Sequence, residues 1–132
     1  MTYALDTNTI IHYLSGKSSV MAQFHNAAKS KAPLVIPVVV DFEVARGFCH
    51  RPNFAKETTY NKIRTNCPTI ELNAAIWKCA ASLWANLHKA NRTIGDADII
   101  IAATCITNGY TLVTDNTKHF QGITGLNVVS WA

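Results

Sequence analysis

Tyr3-Ala4-Leu5-Asp6-Thr7-Asn8 opens the chain's pattern, and Tyr110-Thr111-Leu112-Val113-Thr114-Asp115-Asn116 sets another carboxylate after a strand-like run near the end. In each, a short apolar run reads as a strand and stops on a carboxylate. Between them the chain alternates strand-like runs with longer helical ones. Leu34 to Ile36 before Pro37 reads as a second strand, Thr69 to Leu72 as a third, Tyr110 to Thr114 as the fourth and Asn127 to Ser130 as a fifth. Val20, Phe24, Ala27 and Ala28 share a helical face after Ser18-Ser19, and Val40, Val44 and Phe48 share one after Pro37. Phe54 to Asn66 reads as a more polar helix ended by Pro68. Asn73 to Asn91 is the longest helix, with Asn73 as its N-cap. The last begins near Asp96 and stops at Gly109. This alternation of strands with helical stretches predicts an α/β fold, with a central parallel sheet of about four to five strands and helices on both faces.

On open sheets of this kind, ligands sit outside the carboxyl ends of the strands. Asp6 and Asp115 should therefore enter one crevice if their strands are neighbours. Glu43 lies early in the helix after the second strand, and Asp96 and Asp98 open the helix before the fourth. Four segments bring acids toward one rim.

Those acids stand out against the rest of the composition. The 132 residues suffice for a single domain spanning 1–132, and 48% hydrophobic content supports a real core rather than disorder. No apolar run approaches the ~20 residues of a membrane span. The opening residues lack a basic leader and cleavage site, which predicts a cytoplasmic protein without membrane attachment. Cysteines at 49, 67, 79 and 105 form no C-x-x-C pair, so they read as free thiols rather than a zinc site. Twelve Lys and Arg against eight Asp and Glu give a net charge of +4, suited to a polyanionic partner. Yet most of the acids are wedged against apolar segments. Carboxylates near a core need pairing, protonation or a cation. Mg²⁺ or Mn²⁺ is the cation that an all-oxygen set suits, and such an ion activates water and neutralises charge at a phosphodiester.

The quoted segments resemble the motifs of PIN-domain ribonucleases. Tyr3 to Asn8 resembles the opening motif, and Glu43-Val44-Ala45-Arg46-Gly47 the second, a glutamate with a glycine four residues on. Ile94-Gly95-Asp96-Ala97-Asp98 leading into Ile99 to Ala103 is similar to the third, and Leu112 to Phe120 to the fourth. The resemblance runs in order from residue 3 to about residue 130, and length and wording are most similar to VapC-type toxins of VapBC toxin–antitoxin pairs. It implies a Mg²⁺- or Mn²⁺-dependent endoribonuclease that cuts structured RNA (tRNA or rRNA), leaves 5′-phosphate and 3′-hydroxyl ends and arrests translation and growth. It also implies a homodimer, a VapB-like antitoxin and a toxin–antitoxin hetero-oligomer.

Carried over by residue, the resemblance makes Asp6 and Asp98 the direct metal ligands, with Glu43 reaching the ion directly or through water. The fourth position falls on Asp115 or Asn116; Asp115 is favoured because its charge suits a hard cation. Asn8 and Thr114 would orient Asp6, and Arg46 is the phosphate-contact candidate.

The same residues have plainer readings. Asp6 can cap a helix that starts at Thr7-Asn8. Asp96 and Asp98 are turned ~200° apart, so one faces away; Asp96 suits the N-cap after Gly95 better than a ligand role. Glu43 is preferred over Asp41, read as solvated or salt-bridged, and Gly47 opens space one turn on. Glu71 and Glu57 read as structural or surface residues. The five histidines form no metal-spaced pair, although His119 lies near the fourth motif. Lys56, Lys62 and Arg64 read as a solvated helix more readily than as a nucleic-acid face. On the longest helix, Ile76, Cys79, Leu83 and Leu87 form one apolar stripe. Trp77, Ala81 and Trp84 form a second, which suits core or a subunit contact.

The rival functions are a phosphatase or receiver-like Mg²⁺-binding domain and an inactive PIN-type RNA-binding module. A phosphatase wants a second Asp where Asn8 stands, and Asn cannot exchange a proton. A receiver has no use for Glu43, and the full acid set argues against loss of activity.

Overall fold

A computed structural model describes residues 1–132. Its centre is a parallel five-stranded sheet in the order β3-β2-β1-β4-β5, from β1 (Tyr3–Leu5), β2 (Leu34–Pro37), β3 (Thr69–Ile70), β4 (Thr111–Val113) and β5 (Asn127–Val129). Every expected strand is present: β1 spans the residues that announced it, β2 runs one residue further to Pro37, and β3, β4 and β5 are shorter than their runs. The middle strands are buried almost throughout: Ala4, Leu5, Ile36, Leu112 and Val113 expose nothing. Burial on both sides explains their continuous apolar reading.

Seven helices flank the sheet: α1 (Thr7–Leu14), α2 (Ser18–Lys29), α3 (Val38–His50), α4 (Phe54–Asn66), α5 (Ala74–Lys89), α6 (Asp96–Asn108) and α7 (Thr117–Phe120). The chain steps from β1 outward to β2 and β3, then crosses back to β4 on the other side of β1. Right-handed crossovers in opposite directions put their helices on opposite faces. That reversal makes the gap between β1 and β4 the switch point of the sheet.

Local chemistry sets the helix ends. Asn73 Oδ1 accepts from Ile76 N at 2.9 Å, the expected N-cap of α5. Gly109 closes α6 with φ 70°, a left-handed conformation that favours glycine. One cap lies elsewhere than expected. Gly95 occupies the N-cap of α6, so Asp96 and Asp98 both lie in its first turn. Two elements escaped the strand-and-helix reading: α1, announced only by the capping role of Asp6, and α7, a single turn with no room for periodicity.

A hydrophobic cluster of 26 buried residues runs through the sheet and its helices. On α5, Ile76 and Leu87 are buried, while Trp77 and Trp84 remain 52% and 49% exposed, so the second stripe is not core. Trp131, past the last strand, packs edge-on against Tyr3 and Phe24 at 5.4 Å each and ties the end of the chain to β1 and α2. All four cysteines are free. No helix is long and apolar enough to cross a membrane.

Candidate active site

Leu5 ends β1 and Thr7 begins α1, leaving Asp6 as the sole joint between strand and helix. Its backbone is extended (φ −80°, ψ 161°), its N–H donates to Val113 O at 2.9 Å, and its Oδ1 accepts from Thr7 N at 2.8 Å. Asp6 is therefore a helix cap, as its plain reading held, and that role takes only one carboxylate oxygen. The other, Oδ2, accepts from Thr114 Oγ1 at 2.7 Å across the β1–β4 gap.

Thr114 is fully committed. Its hydroxyl donates to Asp6 and accepts from Asn8 Nδ2 at 3.2 Å and Asn116 N at 3.1 Å, using its one proton and both lone pairs. Asn8 Oδ1 in turn accepts from Asp115 N at 3.1 Å. Thr114 thus bonds the Asp6 carboxylate directly, and Asn8 stands one bond behind it.

The remaining acids approach from other elements. Glu43 on α3 accepts from Thr7 Oγ1 through Oε1 at 2.7 Å, which ties it to the residue beside Asp6. Arg46, one turn on, reaches Glu43 Oε2 at 3.4 Å, a long contact from a side chain 62% exposed. Its guanidinium also lies 5.3 Å over the exposed Phe42 ring. Gly47 leaves its flank open, with nothing within 4 Å of where a Cβ would stand. Beside Glu43 a shallow cavity of about 320 Å³ runs past Ile11, Val44, Phe48, Arg51 and Lys56.

Asp98, in the first turn of α6, receives His119 Nε2 at 2.9 Å on Oδ2. Asp96, beside it in sequence, is exposed and makes no side-chain hydrogen bond. Asp115 Oδ2 lies 2.6 Å from His12 Nδ1, close enough for a charge pair but not aligned as a hydrogen bond. Asn116 is exposed, and its backbone N–H rather than its side chain joins the network.

Electrostatics single out Asp6. Burial raises its carboxyl above the ordinary 3.8; the Thr114 and Thr7 hydrogen bonds oppose this, and the negative charges of Asp98 and Glu43 push it up again. Asp6 thus senses two other candidate acids from two other helices. No three His, Cys, Asp or Glu side chains stand together as a ready metal cage. The donor chemistry nevertheless fits a hard divalent cation: the set is all oxygen, and a positive ion would relieve both the burial and the repulsion at Asp6.

Histidine was the residue type that sequence reading undervalued. His12 and Asn8 are four residues apart on α1, so they share a face, and both meet Asp115. That spacing was the available signal. For His119 the signal was only its place late in the fourth motif. The Thr7–Glu43 contact spans 36 residues and left no local trace.

Asp41, Lys62 and Arg64 lie apart from the rim, while Lys56 lines the cavity beside Glu43. Asp41 accepts from Tyr60 Oη at 2.7 Å and pairs with Arg64 Nε at 3.1 Å, so it is the salt-bridged residue expected. Lys62 flanks a different cavity, beside Tyr13 and Cys67, so Lys56, Lys62 and Arg64 do not form one face.

The model of the PIN domain family matches residues 3–125. Ribonuclease VapC1 of Haemophilus influenzae (strain R2866) is 28% identical over 137 residues, covering 99% of this chain and 98% of that protein. Ribonuclease VapC1 of Rickettsia felis is 51% identical over 45 residues, 34% of either chain. Among solved structures, VapBC2 from Rickettsia felis bound to a DNA fragment from their promoter aligns with a TM-score of 0.91, at 24% identity and full coverage of both chains. VapBC-1 from nontypeable Haemophilus influenzae aligns at 0.86 and 26% identity, over 99% of this chain and 98% of that one. With the four acid-bearing segments linked around the β1–β4 gap and the family match running through all of them, the chain belongs to the PIN-domain family.

Proposed function

We propose that this protein is a metal-dependent endoribonuclease and the toxin of a type II toxin–antitoxin system, cutting structured RNA (tRNA or rRNA) to arrest translation and growth. The observation that carries the reading is Asp6: a buried carboxyl at the switch point, pushed up by burial and by the charges of Asp98 and Glu43. Asp6, Asp98 and Glu43 are the residues to hold Mg²⁺, or Mn²⁺ in its place, with Asp115 or Asn116 as a fourth. A divalent ion there supplies water activation and charge neutralisation at the scissile phosphate.

The chain's own residues do the positioning. Thr114 and the Thr7 N–H hold the Asp6 carboxylate from two sides, and the Thr7 hydroxyl aims Glu43. Arg46, largely exposed at the rim, is placed to meet a phosphate, and Arg51 and Lys56 extend positive charge along the adjoining cavity. Supporting the toxin role, the relatives are named ribonuclease VapC1, and the solved neighbours are VapBC complexes. The same likeness supports a VapB-like antitoxin partner, a homodimer and a hetero-oligomeric complex. The exposed Trp77 and Trp84 on α5 supply apolar surface for such a contact.

The test uses purified, partner-free protein and total bacterial RNA, with Mg²⁺ or Mn²⁺ against EDTA and Asp98→Asn as control, followed by mapping of the cut ends. Discrete metal-dependent cuts that vanish in the variant are the expected result. Cuts that persist in EDTA or in the variant would sink the reading, and RNA binding without cleavage would replace it with an inactive binding module.

A further inference from the structure

Asp98 is the one candidate ligand whose orientation is set by a chain of contacts leading away from the rim. Its Oδ2 takes His119 Nε2 at 2.9 Å, while its Oδ1 has no hydrogen-bond partner in the chain. An ionised carboxylate only accepts, so the contact requires the proton of His119 on Nε2. His119 lies in α7, a helix of four residues. So short a helix cannot satisfy its own last carbonyls. One of them, His119 O, is taken by Arg92 Nη2 at 2.7 Å.

Arg92 belongs to the loop between α5 and α6. Asn91, at φ 56°, turns the chain there, and Arg92 N–H is anchored on Leu87 O at 2.9 Å. Past α7 the chain turns back at Gly122 (φ 80°), alongside the Arg92 guanidinium. The contacts close a ring: Arg92 caps α7, α7 presents His119, His119 holds Asp98, and Asp98 opens the helix that the Arg92 loop leads into.

We propose that Arg92 and His119 form a brace that fixes the Asp98 carboxylate with Oδ2 occupied and Oδ1 left free to take a cation. Both are positioning residues: His119 acts on Asp98, and Arg92 acts through His119. The inference rests on the nuclease reading above and adds two residues to it. Arg92 lies in none of the four motif segments. Partners that orient a ligand commonly shift metal affinity by about 10–100-fold.

The test reads metal binding directly, by calorimetric titration of Mn²⁺ into the purified full-length chain, alongside RNA cleavage at limiting and saturating Mn²⁺. His119→Ala should weaken Mn²⁺ by about tenfold or more, and His119→Gln, which keeps a neutral donor, should recover most of that loss. Arg92→Ala should weaken it less, Arg92→Lys less still, and cleavage by all four should approach the wild-type rate at saturating metal. Because the two residues act in series, Arg92→Ala should add almost nothing in the His119→Ala background. Equal losses from Arg92→Ala in both backgrounds would overturn the brace, as would wild-type Mn²⁺ affinity in His119→Ala beside a large loss in Asp98→Asn. Should wild type and Asp98→Asn bind Mn²⁺ equally, or neither bind it, the metal-site reading falls and the brace with it. The conservative variants keep the test valid if an alanine variant fails to fold.

Discussion

Asp41 and Glu43 stand two residues apart on one helix and meet opposite surroundings. Asp41 turns toward α4, where Tyr60 donates to it at 2.7 Å and Arg64 pairs with it at 3.1 Å. Glu43, about 200° round the helix, turns toward the start of α1, where its close partner is the hydroxyl of Thr7 and its nearest cation is a long, exposed contact from Arg46. The first carboxylate is neutralised by its own chain. The second is added to Asp6 and Asp98, acids of the same sign. A structural carboxylate comes with a cation, whereas a site carboxylate comes with more carboxylates and awaits one from outside.

The sharpest way to break this contrast is to neutralise one acid on each side. Asp6→Asn or Asp98→Asn should lower metal-dependent RNA cleavage by on the order of a hundredfold or more. Asp41→Asn should leave cleavage near wild type, since nothing at the rim touches it. Comparable losses from Asp41→Asn and Asp98→Asn, measured on folded protein, would erase the distinction.

Metal linkage sharpens it next. An ion that binds the folded chain alone stabilises it by about 2.7 kcal/mol at a hundred times its dissociation constant. Wild type and Asp41→Asn should both gain thermal stability on Mn²⁺ addition, and Asp6→Asn should gain little. A gain of the same size in Asp6→Asn would move the ion away from the β1–β4 gap.

These contrasts show which parts of the molecule the sequence made legible. Glu43 and Asp98 are picked out by the resemblance of their segments to the second and third motifs, whereas Asp6, Asp41 and Asp115 stand out because each carboxylate follows an apolar run, a local signal. The sheet was legible for the same reason, since buried parallel strands read as short apolar runs. The partners were not. Arg64 meets Asp41 across two helices, Thr7 meets Glu43 from 36 residues away, and Arg92 reaches His119 across 27. Such contacts depend on how helices lie on the sheet, which composition and periodicity do not encode. The order β3-β2-β1-β4-β5 belongs to the same class, and it alone makes Asp6 and Thr114 neighbours.

Stability should separate the two carboxylates in the opposite sense from activity. Tyr60→Phe removes the donor to Asp41 and should cost about 1 kcal/mol in urea unfolding; Asp41→Ala, which leaves both Tyr60 and Arg64 without their acceptor, should cost about 1–2 kcal/mol. The Tyr60 hydroxyl is pushed up by burial first and by its bond to Asp41 second, so it stays protonated as a donor throughout the neutral range. A neutral effect of Asp41→Ala would mean that the α3–α4 contact does not depend on this cluster.

The smallest effect concerns the pH dependence of the metal-free protein. Burial raises the folded Asp6 carboxyl above its ordinary 3.8, so the unfolded chain ionises first as pH rises. Below about 3.8 Asp6 is protonated in both states and imposes no penalty. Between that value and the raised folded one, the unfolded state sheds its proton while the folded state keeps it, and wild type loses stability with rising pH. Above the folded value the penalty is constant. Each tenfold change in the acid constant amounts to about 1.4 kcal/mol. Asn carries no charge and escapes this penalty, although its single amide oxygen cannot keep both the Thr7 and Thr114 bonds on carboxylate oxygens. The test is therefore the change in the stability difference rather than its sign at one pH. In EDTA, Asp6→Asn should gain on wild type as pH rises from 3.5 toward 7, and Mn²⁺ at pH 7 should reverse the gain. A difference that stays flat across that range would show that Asp6 carries no such penalty, and the contrast between the two faces of the molecule would then rest on geometry alone.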